Sequence, residues 1–272
     1  MARPLWGVHP RHPDPQGRLP RSDWEALLHA MPLLWRLTAE ERSRLFDLAE
    51  RFLQVKNLDP VGGLELNEGM ARLLALQACL PILNLGLEFY DNWQTIILYP
   101  GDFVPEGTVV DDAGVVHPRG PHSGEAWPNG PVILSWEEVF LGGVESGSEP
   151  VNVVIHELSH QLDVRGGGFD GMPPLHRPMN PRLWIRDFTQ GFRQLRELNR
   201  LLRRCILDPY GAESPAEFFA VAVEAFFTAA ADLGEQFPAI YRQLALFFRQ
   251  DPLRTTGPAP GRQPVTGTPC GA

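Results

Sequence analysis

Cysteine is scarce: Cys79, Cys205 and Cys270 are the three in 272 residues, and no two stand in C-x-x-C spacing. An odd count without that spacing indicates neither a disulfide framework nor a thiolate zinc site, and a reducing compartment fits best. Basic charge is also in deficit, with 24 Lys and Arg against 33 Asp and Glu for a formal net charge of -9. That balance argues against nucleic acid as a partner. Long apolar runs are missing too. The longest, LLALQACLPILNLGL at 73–87, is interrupted by Gln77, Pro81, Asn84 and Gly86 and falls short of a membrane span. The opening residues hold prolines and no apolar stretch of signal-peptide length. The expectation is a cytoplasmic protein with no membrane partner.

Hydrophobic residues make up 43% of the chain, ample for one large core. Residues 1–20 are rich in Pro and Arg, and 251–272 in Pro, Gly and Thr, so both read as poorly ordered ends. No repeat or break in composition divides the remainder, and 21–250 is expected to form a single domain. Its first part predicts helices. Thr38 with Glu41 three residues on is a capping-box signature, and a second helix is expected from Asn67 to about Leu80. The middle turns β-branched: WQTIILYP (93–100), GTVVDDAGVVHP (107–118, with DDAG as a hairpin) and PVILSW (131–136) predict strands. A helix is expected from Pro181 to Cys205 with a solvated arginine face. The pattern is α+β, mainly helical, with a small antiparallel or mixed sheet before the next feature.

That feature is EPVNVVIHELSHQLDVRGG (149–167), which contains His156-Glu157-Leu158-Ser159-His160, an H-E-x-x-H pattern. Ser148 as cap, Pro150 in the first turn, and Val151, Val154, Ile155, Leu158 and Leu162 as a buried stripe put it on a helix. Residues four apart lie about 40° around and about 6 Å along such a helix, so two imidazoles can converge on one ion. Zinc accepts imidazole nitrogen and keeps a position for water in catalytic sites, and Glu157 is placed to take that water's proton. The competing reading is two surface histidines beside a solvated glutamate.

Two histidines leave the site incomplete. The longer pattern with a third histidine fails, since Asp163 and Gly166 occupy its glycine and histidine positions. His9, His12, His117, His122 and His176 stand in loop-like or Pro-rich surroundings, and His29 lies far upstream. An acidic ligand from YGAESPAEFFAVAVEAFF (210–227) is the better source. Glu217 is favoured there, although Ser214-Pro215-Ala216-Glu217 also reads as a capping box, and Glu213 and Glu224 compete. Asp163 could orient a ligand from behind, with helix capping or a solvated carboxylate as equal alternatives, and Glu224, two turns beyond Glu217, could serve similarly. PVILSW could accept an extended peptide along a free sheet edge.

Together, VGGLELNEGMARLLALQACL, GPVILSWEEV, NVVIHELSHQLD and YGAESPAEFFAVAVEAFF resemble the Mlc titration factor A family of bacterial zinc peptidases over most of residues 40–245. The active-site segments are also similar to the catalytic domain of the anthrax lethal factor metalloprotease. There, the glutamate before a Phe-Phe pair is the third zinc ligand and a tyrosine seven residues earlier assists catalysis. The matching positions are Glu217, before Phe218 and Phe219, and Tyr210. The resemblance implies a zincin-like gluzincin with one Zn2+ per chain on His156, His160 and Glu217, Glu157 as general base and Tyr210 as helper. It implies hydrolysis of peptide or protein substrates, with aminopeptidase action the finer expectation. It also implies binding of the glucose repressor Mlc and an effect on the glucose phosphotransferase system. The alternative is an interaction protein that binds the repressor and whose zinc is structural or regulatory.

Overall fold

Thr38 opens its helix as its spacing predicts. The hydroxyl accepts from the Glu41 N–H at 3.1 Å while the Glu41 carboxylate accepts from the Thr38 N–H at 2.8 Å. The computed structural model of the protein describes residues 21–102, 108–110, 116–118, 124–126, 130–144 and 151–254. Helix α1 spans Arg21–Ala30, and α2, Ala39–Val55, buries Leu45, Leu48, Ala49 and Phe52. Strand β1, Asn57–Pro60, is followed by α3, Glu68–Cys79, which Asn67 caps, and then by β2, Thr95–Tyr99. Strands β3, Thr108–Val110, and β4, Val116–Pro118, form a separate antiparallel ribbon. Its expected DDAG turn lies outside the described residues.

Strand β5, Gly124–Ala126, and β6, Val132–Ser135, complete a main sheet of order β1-β2-β6-β5. The expectation of an antiparallel or mixed sheet is corrected in its main part. The body, β1, β2 and β6, is parallel, and antiparallel pairing is confined to the three-residue edge strand β5. The cause lies in the connections. Helix α3 lies between β1 and β2, and a long segment separates β2 from β6, so each link is a crossover and not a tight hairpin. PVILSW is no free edge, because β2 and β5 flank it; β5 holds that place.

The chain continues through α4, Trp136–Val144; α5, Val153–Arg165; α6, Pro181–Arg200; α7, Pro215–Thr228; α8, Ala230–Gln236; and α9, Pro238–Phe248. One core cluster runs from Trp24 to Phe248. Helix α6 stops at Arg200, short of the expected Cys205. It buries Trp184, Phe188 and Leu195 and leaves Arg182, Arg186, Arg193, Arg196 and Arg200 exposed, the solvated face that its spacing predicts. Residues 1–20 and 255–272 lie outside the described residues. Asp251, expected at the start of the tail, accepts the Tyr241 hydroxyl at 2.6 Å. Among the described residues no helix is long and apolar enough to cross a membrane.

Candidate metal centre

Helix α5 begins four residues later than a Ser148 cap would set it. Asn152 is the N-cap, its Oδ1 accepting from the Ile155 N–H at 3.0 Å, while residues 148–150 lie outside the described residues. Val151 therefore leaves the apolar stripe and is 47% exposed, whereas Val154, Ile155, Leu158 and Leu162 are fully buried. The buried stripe fixes the rotation of the helix. His156 and His160 emerge on adjacent turns of one face, with ring centroids 5.1 Å apart and planes at 77°.

In helix α7 the backbone and the side chain of Glu217 have different partners. The Glu217 N–H donates to Ser214 Oγ at 3.1 Å, as capping requires. The carboxylate turns instead to the histidines: Oε2 lies 3.2 Å from His156 Nε2 and 3.4 Å from His160 Nε2. All three ligand atoms fall within 4.8 Å of one another. Phe218 and Phe219 hold this carboxylate at its height. Both are buried, with Phe188 edge-on to Phe218 and tilted against Phe219, ring centroids 5.9 and 6.0 Å away. Each such burial contributes about 1.5–3 kcal/mol. Glu213 is exposed, as is His29, and His176 Nε2 bonds to the Phe247 carbonyl. His9, His12 and His122 lie outside the described residues.

Asp163 does a different task from the one its spacing suggests. Its two oxygens accept from the Gly171 and Met172 N–H groups, each at 2.8 Å, and burial pushes its pKa up to about 6 against the opposing pull of those bonds. Gly171 is held on every side. Its carbonyl accepts from the Trp184 indole at 3.0 Å, its φ is +77°, and a Cβ there would stand 2.6 Å from the Pro215 carbonyl oxygen. One residue thus joins α5, α6 and the first turn of α7, the three elements around the His/His/Glu group. Gly171→Ala should cost about 1–3 kcal/mol, lower the melting temperature and weaken metal binding; a melting curve unchanged from wild type would show that the clamp is not needed.

Glu157 points toward the sheet edge. It is 7% exposed, and a Cβ on Gly124 of β5 would meet its Oε1 at 2.5 Å, so the bare backbone of the edge strand gives the carboxylate its room. Burial raises its pKa; His156 and His160 pull the other way. Tyr210 sits in a 3-10 turn, Pro209–Ala212, begun by Asp208, whose carboxylate accepts the Tyr210 N–H at 2.7 Å. Its ring centroid is 6.3 Å from that of His156, and although the side chain is 45% exposed, its partial burial together with the charge of Glu217 raises its pKa and keeps the phenol protonated. Phe169, 41% exposed, lies 5.7 Å from the His160 ring by centroids and forms an apolar rim.

Residues 10–249 match the family model described as glucose-regulated metallo-peptidase M90. The chain belongs to this family. Among its relatives, Mlc titration factor A of Escherichia coli O1:K1 / APEC is 38% identical over 237 residues, covering 85% of this chain and 87% of the relative. Mlc titration factor A of Shigella flexneri serotype 5b is 38% identical over 234 residues with the same coverage. A metallo-peptidase needs a metal, and the donor set suits one. Two imidazole nitrogens converge with a carboxylate that stays ionised despite burial, since their hydrogen bonds draw its pKa down to about 2, and this is a donor set that could hold a metal.

In this M90 metallo-peptidase the structure brings three of the expected side chains, His156, His160 and Glu217, into one group, while the sequence reading did not single out Asn152, Gly124 or Gly171. Asn152 had a legible signal, an Asn at the head of the periodic run VVIHEL, which the Ser-Glu-Pro before it obscured. Gly124 and Gly171 had none, because each is required by a neighbour distant in sequence.

Proposed function

We propose that the protein is a zinc-dependent peptidase of zincin-like, gluzincin type, with His156, His160 and Glu217 as ligands, Glu157 as general base and Tyr210 as electrophilic helper. The observation that supports this best is a three-donor group with a fourth, buried carboxylate beside it. A structural zinc site is closed by four protein ligands, whereas a catalytic one has three and keeps a place open. Among the described residues the group is His156, His160 and Glu217 alone. Bound there, zinc supplies Lewis acidity toward water and toward the scissile carbonyl. Glu157 accepts the proton of the attacking water and can pass it to the departing amine. Tyr210, held protonated, donates its O–H to the oxygen that gains charge. The edge strand β5 above Glu157 offers a backbone against which an extended peptide can align.

Aminopeptidase action and a cytoplasmic setting belong to the same proposal, as do residues 21–250 as its domain. A second reading rests on the relatives' name, which ties them to Mlc: the chain would bind such a repressor, with its metal site serving structure or regulation. One experiment separates the two. The purified protein should carry about one zinc per chain and cleave members of a mixed peptide library, with free N-terminal residues released if it is an aminopeptidase. Zinc without cleavage would favour the binding role, and no zinc would end the proposal.

A further inference from the structure

His156 and His160 differ behind the ring. The outer nitrogen of His160, Nδ1, is buried and has no hydrogen-bond partner among the described residues. The outer nitrogen of His156, Nδ1, lies 3.4 Å from Oε2 of Glu224, two turns along α7 from Glu217. Glu224 is itself 6% exposed, and its other oxygen, Oε1, accepts the Asn152 N–H. Asn152, fully buried, continues the chain of bonds: its Nδ2 donates to Gln77 Oε1 at 2.8 Å and to the Gly142 carbonyl at 2.9 Å. Gln77 of α3, also fully buried, donates to the carbonyls of Leu73 and Val139 at 3.2 and 3.0 Å. Gly142 and Gly143 leave space for these amides, since a Cβ would stand 3.2 Å from Asn152 Nδ2 and 2.8 Å from Gln77 Nε2.

We infer that Glu224 is a positioning residue for the metal site: through the buried Gln77–Asn152–Glu224 network it holds His156 with Nδ1 protonated, leaving Nε2 free to ligate. This rests on the proposed role of His156 as a ligand. The chemistry follows from the number of donors each oxygen faces. A carboxylate can accept two N–H groups at once, one from the Asn152 backbone and one from the imidazole. An amide in its place has a single acceptor oxygen, so it can serve one of these two positions and presents N–H donors at the other. In Glu224→Gln the Oε1 can keep the Asn152 N–H, but the Nε2 H2 group then faces His156 Nδ1 and is satisfied only by a lone pair there. That forces the opposite tautomer, with the proton on the ligating nitrogen. The substitution therefore retains the cap of α5 and attacks the ligand alone, which separates a positioning role from a structural one.

The test is a chelator competition for zinc with the full-length wild type, Glu224→Gln and Glu217→Ala, with melting of each metal-free protein alongside. Glu224→Gln should bind zinc about 10–100-fold more weakly while its metal-free melting stays near wild type. In the zinc-loaded, 15N-labelled wild type, His156 should give an exchange-protected Nδ1–H resonance, and this needs no variant to fold. Wild-type affinity in Glu224→Gln, or absence of that resonance from the wild type, overturns the inference. If Glu217→Ala loses zinc while Glu224→Gln retains it, the metal site stands and only the positioning role falls. If the wild type binds no zinc, both fall.

Discussion

Glu157→Gln should leave about one zinc per chain and reduce peptide hydrolysis by a factor of 10²–10⁴ or more, the range that general acid–base catalysis contributes. The geometry separates the two quantities. Glu157 is outside the three-donor group, so its loss removes no ligand. Glutamine has the same shape and fits the space that Gly124 leaves against Oε1, where even a Cβ on the strand would be too close. What disappears is the basic oxygen. Burial raises the Glu157 pKa, and a carboxylate whose pKa moves toward neutrality is a better proton acceptor at working pH. The measurement is zinc content by elemental analysis beside initial rates on the best peptide from the library. Activity within a few-fold of wild type would remove Glu157 from the mechanism. Loss of zinc together with activity would make it a residue that holds the site's shape.

The parts of the site that were legible in the sequence are those whose logic is local. The H-E-x-x-H spacing needs only a helix, and the stripe Val154, Ile155, Leu158, Leu162 turns both histidines to one side. Tyr210 and Glu217 became visible through their seven-residue separation and the Phe pair, a likeness to known peptidases and not a deduction from spacing. The strand direction was not legible. Short β-branched runs reveal that strands exist, but parallel pairing of β1 with β2 depends on α3 crossing between them, and β1 itself, NLDP, has almost no strand character. For Asp163 and Glu224 the sequence offered an orienting role among others and could not choose, for a similar reason. Each carboxylate is spent on partners brought by folding: backbone N–H groups of Gly171 and Met172 for one, Asn152 and His156 for the other. A carboxylate one turn from a histidine could serve either task, and only the packed loop decides.

Glu217→Ala should weaken zinc binding by more than the 10–100-fold typical of a partner behind a ligand, on the order of 10³-fold, and abolish hydrolysis with it. The comparison that gives this meaning is with its neighbours. Glu213 is exposed and outside the group, so Glu213→Ala should bind zinc as wild type does. Glu224→Ala should fall between them, because it removes a support and not a donor. The helix survives in Glu217→Ala, since Ser214 Oγ accepts from the backbone N–H at position 217, which alanine retains, and Phe218 and Phe219 still anchor the first turn. Weak binding with an intact metal-free melting curve would therefore assign the loss to the ligand. The carboxylate also has a reason to matter beyond its count as one donor of three. It is the only anionic member of the group, and the two histidines hold it ionised, with its pKa drawn down to about 2; the protons that a metal displaces here are the ones the imidazoles share with it. Equal losses from all three substitutions would instead point to a helix sensitive to any change, and the third ligand would have to be sought elsewhere.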